Sequence, residues 1–166
     1  MTRISRPSCP TIWMAAASAC AALAHPAAAQ VTDEMLQAER DWFRAKNHFL
    51  CSSVSFARAD GEAGRQHMDA GFSLGQPIVE ETLEKDVTPQ TLLPHLRGEA
   101  QILATSPDTT FALGRIYQEY ELLFARKLLE QMEGAAERQD DRDWAAAQFL
   151  EQSYNEMGCA ELLSAD

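Results

Sequence analysis

The sequence predicts an all-α protein: a small bundle of about five helices with one disulfide, preceded by a signal peptide. Three observations lead there. Apolar residues recur three and four positions apart, the spacing of one helix face, and short apolar runs of period two are missing. Only two cysteines, Cys51 and Cys159, follow the amino-terminal segment. That segment differs sharply in composition from the rest of the chain.

The amino end reads as a secretory signal over residues 1–29, with a single helical domain over 30–166. Arg3 and Arg6 supply the positive start, and no Asp, Glu, Lys or Arg occurs from Pro7 to Thr32. "TIWMAAASACAALA" forms the uncharged run, and Ala27-x-Ala29 is a small-residue cleavage motif before Gln30. A membrane anchor would need about 20 strongly apolar residues. This run is mostly Ala and carries Pro10 and Pro26, so no transmembrane span is expected in the mature chain. A lipoprotein is the alternative. "AASAC" is similar to a bacterial lipobox, with Cys20 as the lipid-bearing residue and Ala17 where such boxes carry Leu. The expected location is the periplasm, or outside the cell, of a Gram-negative envelope.

The mature chain of 137 residues carries 12 basic and 25 acidic residues, a net charge of −13. Nucleic acids and anionic membrane surfaces require a basic patch, so neither is an expected partner. An even cysteine pair in an exported chain reads as a Cys51–Cys159 disulfide. Closing a 108-residue separation restricts the unfolded chain by about 4–5 kcal/mol in the chain-entropy model, an upper figure. His48 and Cys51 also stand at i, i+3, a spacing that can hold a metal or activate a thiol.

Each helix has its own signals. The first runs from Thr32 or Asp33 to about Ala59, with Asp33 as a cap and Glu34 in the first turn. Met35, Trp42, Phe49 and Phe56 form one ridge, and Leu36, Phe43 and Leu50 a neighbouring one. Glu39, Lys46 and Ser53 lie between the ridges, either as a buried polar seam or as long side chains reaching water. The second helix covers about Glu62 to Leu74, with Met68 and Phe72 inward, and breaks at Gly75-Gln76 because Pro77 cannot donate to the ladder. Pro77 then opens a short helix. Thr88-Pro89 starts another, bent at Pro94. Ser106-Pro107-Asp108 starts a long helix reaching about Met132. Its main stripe is Leu113, Ile116, Tyr117, Tyr120, Leu123 and Phe124, and its second stripe is Phe111, Leu122 and Leu129. Apolar residues on both sides imply a central helix or one that meets a partner. A polar linker leads to the last helix, Arg142 to Met157, with Trp144, Phe149, Leu150 and Tyr154, and Gly158 at its end.

"GFSLG" has two readings. As G-x-S-x-G it would hold a nucleophile, Ser73, with Asp86 and His95 following in hydrolase order. That elbow needs a strand entering the turn, and "GRQHMDA" is polar and helical. As G-x-x-x-G, Gly71 and Gly75 mark a close helix contact or a helix break. H-E-x-x-H, E-x-x-H and C-x-x-C-H are absent, so no cofactor is expected. His48, His67 and His95 are scattered along the chain, and a metal-binding or catalytic bundle would have to assemble them by folding. Glu80, Glu81 and Glu84 read as a solvated acidic face.

"DAGFSLGQPIVEETLEKDVTPQTLLPHLRGEAQIL" resembles the Rap1a/Tai type of periplasmic immunity protein. There a Gly-aromatic-x-x-Gly helix precedes a "VT-x-x-Q"-like helix start. The likeness spans about a third of the mature chain. Here Val87-Thr88 is followed by Pro89-Gln90, and the family's additional cysteines are missing. The resemblance implies an inhibitor of another protein. Composition and motifs together favour a protein-binding role, with a metal-binding or catalytic bundle using His48, His67 or His95 as the alternative.

Overall fold

The first helix among the described residues starts at Asp33. In the computed structural model, which describes residues 32–85, 94–134 and 139–165, the Thr32 hydroxyl accepts from the Met35 amide at 3.2 Å and caps α1, Asp33–Ala57. The cap is thus Thr32, with Asp33 and Glu34 in the first turn beside the positive end of the helix dipole. The proposed signal segment 1–29, Cys20, Asp86 and the Thr88-Pro89 start lie outside the described residues, as does the side chain of His95.

The chain reverses through Ala59, whose φ of 62° lies in the left-handed region. Asp60 then caps α2, Gly61–Glu84, by accepting from the Ala63 amide at 3.1 Å. The predicted break does not occur: α2 runs straight through Pro77. Proline removes one donor from the ladder, here the partner of the Ser73 carbonyl. Ser73, Gln76 and Pro77 are all exposed, so that carbonyl loses its bond on the solvent side, while Gly75, Ile78 and Val79 stay packed inward.

A 3₁₀ helix, Pro94–Glu99, leads into α3, Ala100–Thr105. The "SPD" signal divides its work. The Ser106 hydroxyl donates back to the Ile102 carbonyl at 2.7 Å, and Asp108 caps α4, Thr109–Gly134, by accepting from the Phe111 amide at 2.8 Å. Helix α5, Gln139–Glu156, starts three residues before the sequence suggests, with Asp140 and Asp141 in its first turn. Gly158, at φ 63°, turns the chain into a further short helix, α6, Cys159–Ser164. The result is six α-helices and one 3₁₀ helix, with no strand among the described residues. None of these helices is long and apolar enough to cross a membrane.

The core joins Trp42, Ala45 and Phe49 of α1 to Ile78 and Val79 of α2. Leu96, Leu103, Ala112, Leu113 and Ile116 complete it from the following elements. Phe49 sits at its centre, edge-on to Phe72 and Tyr117 at ring separations of 5.5 and 5.7 Å. Among the described helices, α1 and α2 share the most extensive contact. The core face of α1 is rotated from the predicted one. It includes Ala45, His48 and Ser52, and leaves Leu36 and Phe43 exposed. The two helices come close there because α2 presents glycines. A Cβ on Gly71 would lie 2.6 Å from the Phe49 ring and 3.2 Å from the Ala45 carbonyl oxygen. One on Gly75 would meet Leu113 at 2.9 Å, and one on Gly64 the Phe56 ring at 2.8 Å.

Candidate functional site

Two places in this fold gather polar chemistry. The first lies inside the α1–α2 seam. His48 from α1 and His67 from α2, both fully buried, meet Nδ1 to Nδ1 at 3.0 Å. One ring donates its Nδ1–H and the other accepts there, so the accepting ring carries its own proton on Nε2. Burial lowers His48 to about 4, helped by the charge that His67 would carry and by Arg44. Burial also lowers His67, against the opposing pull of Asp60. Both rings are therefore neutral at neutral pH.

One turn beyond His48, Cys51 meets Cys159, the first residue of α6, with the sulfurs at bonding distance, 2.04 Å, and the Cα atoms 5.6 Å apart. A ring nitrogen of His67 and both sulfurs lie within 4.8 Å of one another. Nε2 of His67 is buried without a hydrogen-bond partner. Nearby, the Ser52 hydroxyl donates to the Gly64 carbonyl at 2.8 Å, tying the two helices together where the glycine lets them approach. His48, Cys51, His67 and Cys159 all have zero solvent exposure. Chemistry there can act on the protein itself or on a small ion, and a larger substrate has no access to it in this conformation.

The second place is at the surface. Lys46, the cation between the two apolar ridges of α1, forms an ion pair with Glu99 at 2.9 Å, and both are largely buried. Of the two readings of Glu39, Lys46 and Ser53, the buried seam holds at Lys46. Ser53, also buried, donates to the Phe49 carbonyl at 3.1 Å. The Tyr120 hydroxyl donates to the same Glu99 oxygen at 3.0 Å. Burial, and then the charge and hydrogen bond of Glu99, raise the Tyr120 phenol above its ordinary value. The Lys46 ammonium also stands 5.6 Å from the rings of Trp42 and Phe43.

Glu99 and Tyr120 form part of the wall of a cleft of about 620 Å³ between α3 and α4, with Ile102, Leu122, Leu123, Arg115 and Arg126 around it. Leu123 also lines a second groove, of about 240 Å³, with Leu50, Phe124, Phe149 and Met157. The expected main stripe of α4 is thus split. Leu113, Ile116 and Phe124 are buried, while Leu123 is 46% exposed. The second stripe, Phe111, Leu122 and Leu129, stands in solvent, as does Trp144 of α5.

Folding therefore brings His48 and His67 together beside the Cys51–Cys159 pair. Gly71 and Gly75 lie at helix contacts, and Pro77 continues the helix. Ser73 is exposed in mid-helix, which is not the strand-to-helix turn that a nucleophile elbow requires. Glu80, Glu81 and Glu84 are exposed, with Glu81 paired to Lys85. Two features escaped the sequence reading: the contact role of Gly64, and Glu99 as the counter-ion of Lys46. A lone cation amid an apolar face was the available signal for the latter. No family model, curated protein or solved structure matches this chain.

Proposed function

We propose that this chain is an exported helical binding protein that holds a protein partner across the outer face of α4, in the manner of an inhibitor. The observation that carries the reading is Leu123. It is half exposed and lines two grooves at once, with Leu122 beside it at 45% exposure and the charged groups of Arg115, Arg126 and Glu99 around the first groove. An apolar centre with a polar rim is the anatomy of a protein interface. The negative net charge of the mature chain favours a partner with basic character. The uncharged amino-terminal run and Ala27-x-Ala29 support export.

The mature chain, immobilised, is expected to retain a specific protein from periplasmic extract. Leu123→Asp should reduce that capture at least about thirtyfold, the loss typical of an interface anchor, while its far-UV spectrum stays native. Ser73→Ala, on the exposed side of α2, should leave capture unchanged. Equal capture by wild type and Leu123→Asp would refute the assignment of this face. Stoichiometric labelling of Ser73 by a fluorophosphonate would replace the binding role with a hydrolase.

A further inference from the structure

We propose that Cys51, Cys159 and His67 form a zinc site when the disulfide is open, with His48 positioning the His67 ring. The donor set comes first. Two thiolates and one imidazole are the donors zinc prefers, and three protein ligands leave one tetrahedral position for a small ligand. The geometry comes second. The two sulfurs and a His67 nitrogen already lie within 4.8 Å of one another, all in the interior. Around one zinc ion such donors stand roughly 3.3–3.8 Å apart, given metal–ligand bonds of about 2.0–2.3 Å. Once the disulfide is open, the sulfurs would have to part from 2.04 Å to about that spacing.

The third observation concerns His67 itself. Its Nδ1 is held by His48 at 3.0 Å, and its Nε2 is buried with no partner. A ligating histidine needs one ring nitrogen for the metal and a partner on the other to fix tautomer and orientation. In this pair His48 supplies the partner and Nε2 is left for the ion. Cys159 opens a helix of six residues directly after the left-handed Gly158, so local opening of α6 exposes the sulfurs to a reductant.

The balance is as follows. A dithiol gives two electrons and two protons to the Cys51–Cys159 disulfide and itself becomes a disulfide. The two thiols then release their protons as zinc binds the thiolates. Disulfide, dithiol and zinc ion become zinc dithiolate, oxidised dithiol and two protons. Oxidation reverses the step and expels the ion, so the cluster exchanges a covalent link for a metal one.

The test uses the full chain made in a reducing cytosol and kept reduced with a phosphine. One zinc ion per chain should bind and shield Cys51 and Cys159 from alkylation, while Cys9 and Cys20 stay reactive. Cobalt(II) in its place should give the intense visible bands of a tetrahedral thiolate site, and the oxidised protein should give neither result. His67→Ala should weaken binding at least about tenfold, and His48→Ala about 10–100-fold, the usual effect of losing a ligand's positioning partner. The oxidised variants serve as folding controls. Cys51 and Cys159 of reduced wild type alkylating equally fast with and without zinc, as read by peptide mapping, would overturn the proposal, whatever the variants do. Zinc binding unchanged in a folded His67→Ala would overturn it too.

Discussion

Along the α1–α2 seam, Gly64, Gly71 and Gly75 lie against Phe56, Phe49 and Trp42, with Leu113 of α4 also against Gly75, and a histidine pair is sealed from water. Along α4 and α5 the arrangement is the opposite. Leu122, Leu123, Leu129 and Trp144 stand exposed, and none of the α5 side chains from Asp140 to Glu156 is fully buried. It is held by a Phe124–Phe149 ring stack at 5.8 Å, by the Arg58–Glu151 pair at 2.9 Å, and by the Arg58 guanidinium over Tyr154 at 4.0 Å. At Gly71 the seam has little room for added volume, since a Cβ there would meet the Phe49 ring and the Ala45 carbonyl oxygen. The outer face has unused apolar surface. Stability should therefore respond to changes in the first region, and recognition to changes in the second.

The largest expected effect breaks the link that fastens the carboxyl end to the seam. Cys159→Ser should lower the unfolding free energy by about 2–5 kcal/mol, because the bridge closes a long separation in the unfolded chain. Chemical denaturation of the mature variant measures it, and an unchanged midpoint would show that the bridge contributes little. Acid should act on the same region. Unfolded histidine takes a proton near pH 6.5, whereas His48 in the fold does so only near 4. Between these values the unfolded state binds more protons, so stability is full above about pH 6.5 and falls as pH drops towards 4. The loss for His48 is at most about 3 kcal/mol. A denaturation midpoint that does not move across this window would contradict a neutral buried pair.

Glycine substitutions sharpen the contrast. Gly71→Ala gains up to about 1 kcal/mol of helix propensity, but its methyl meets a packed ring and a backbone oxygen, neither of which yields easily. A net loss of about 1–2 kcal/mol is expected. At Gly114, inside α4, a methyl group would meet no described atom within 4 Å. Gly114→Ala should therefore stabilise by about 0.5–1 kcal/mol. Thermal unfolding of the pair decides the matter, and shifts of the same sign would dissolve the distinction between the two regions. The smallest expected stability effect is that of Leu123→Asp, within about 0.5 kcal/mol, as for other surface changes.

Much of the architecture was legible in the sequence. Helical periodicity gave the all-α class, and the caps near Thr32 and Asp108 fixed the starts of α1 and α4 within a few residues. The failures have physical causes. Pro77 looked like a break, yet a proline on the exposed side of a long packed helix forfeits one bond in contact with water while the inner face stays buried. Leu36 and Phe43 fall on the predicted apolar face of α1 yet stand exposed, because periodicity records apolar spacing and not which face another helix will cover. The His48–His67 contact joins residues 19 apart across a turn. It depends on the close approach that Gly64 and Gly71 allow, and no local pattern encodes that distance. Glu99 could not be assigned to Lys46 for the same reason. It reaches α1 only through the path of the 3₁₀ helix.

The claim that recognition lies on the outer face of α4 is tested most directly by hydrogen exchange of the mature chain with and without its captured protein partner. Slowed exchange concentrated in residues 115–126, with the α1–α2 seam unchanged, is the predicted result. Protection confined to α2 around Ser73, with α4 exchanging as in the free protein, would contradict it.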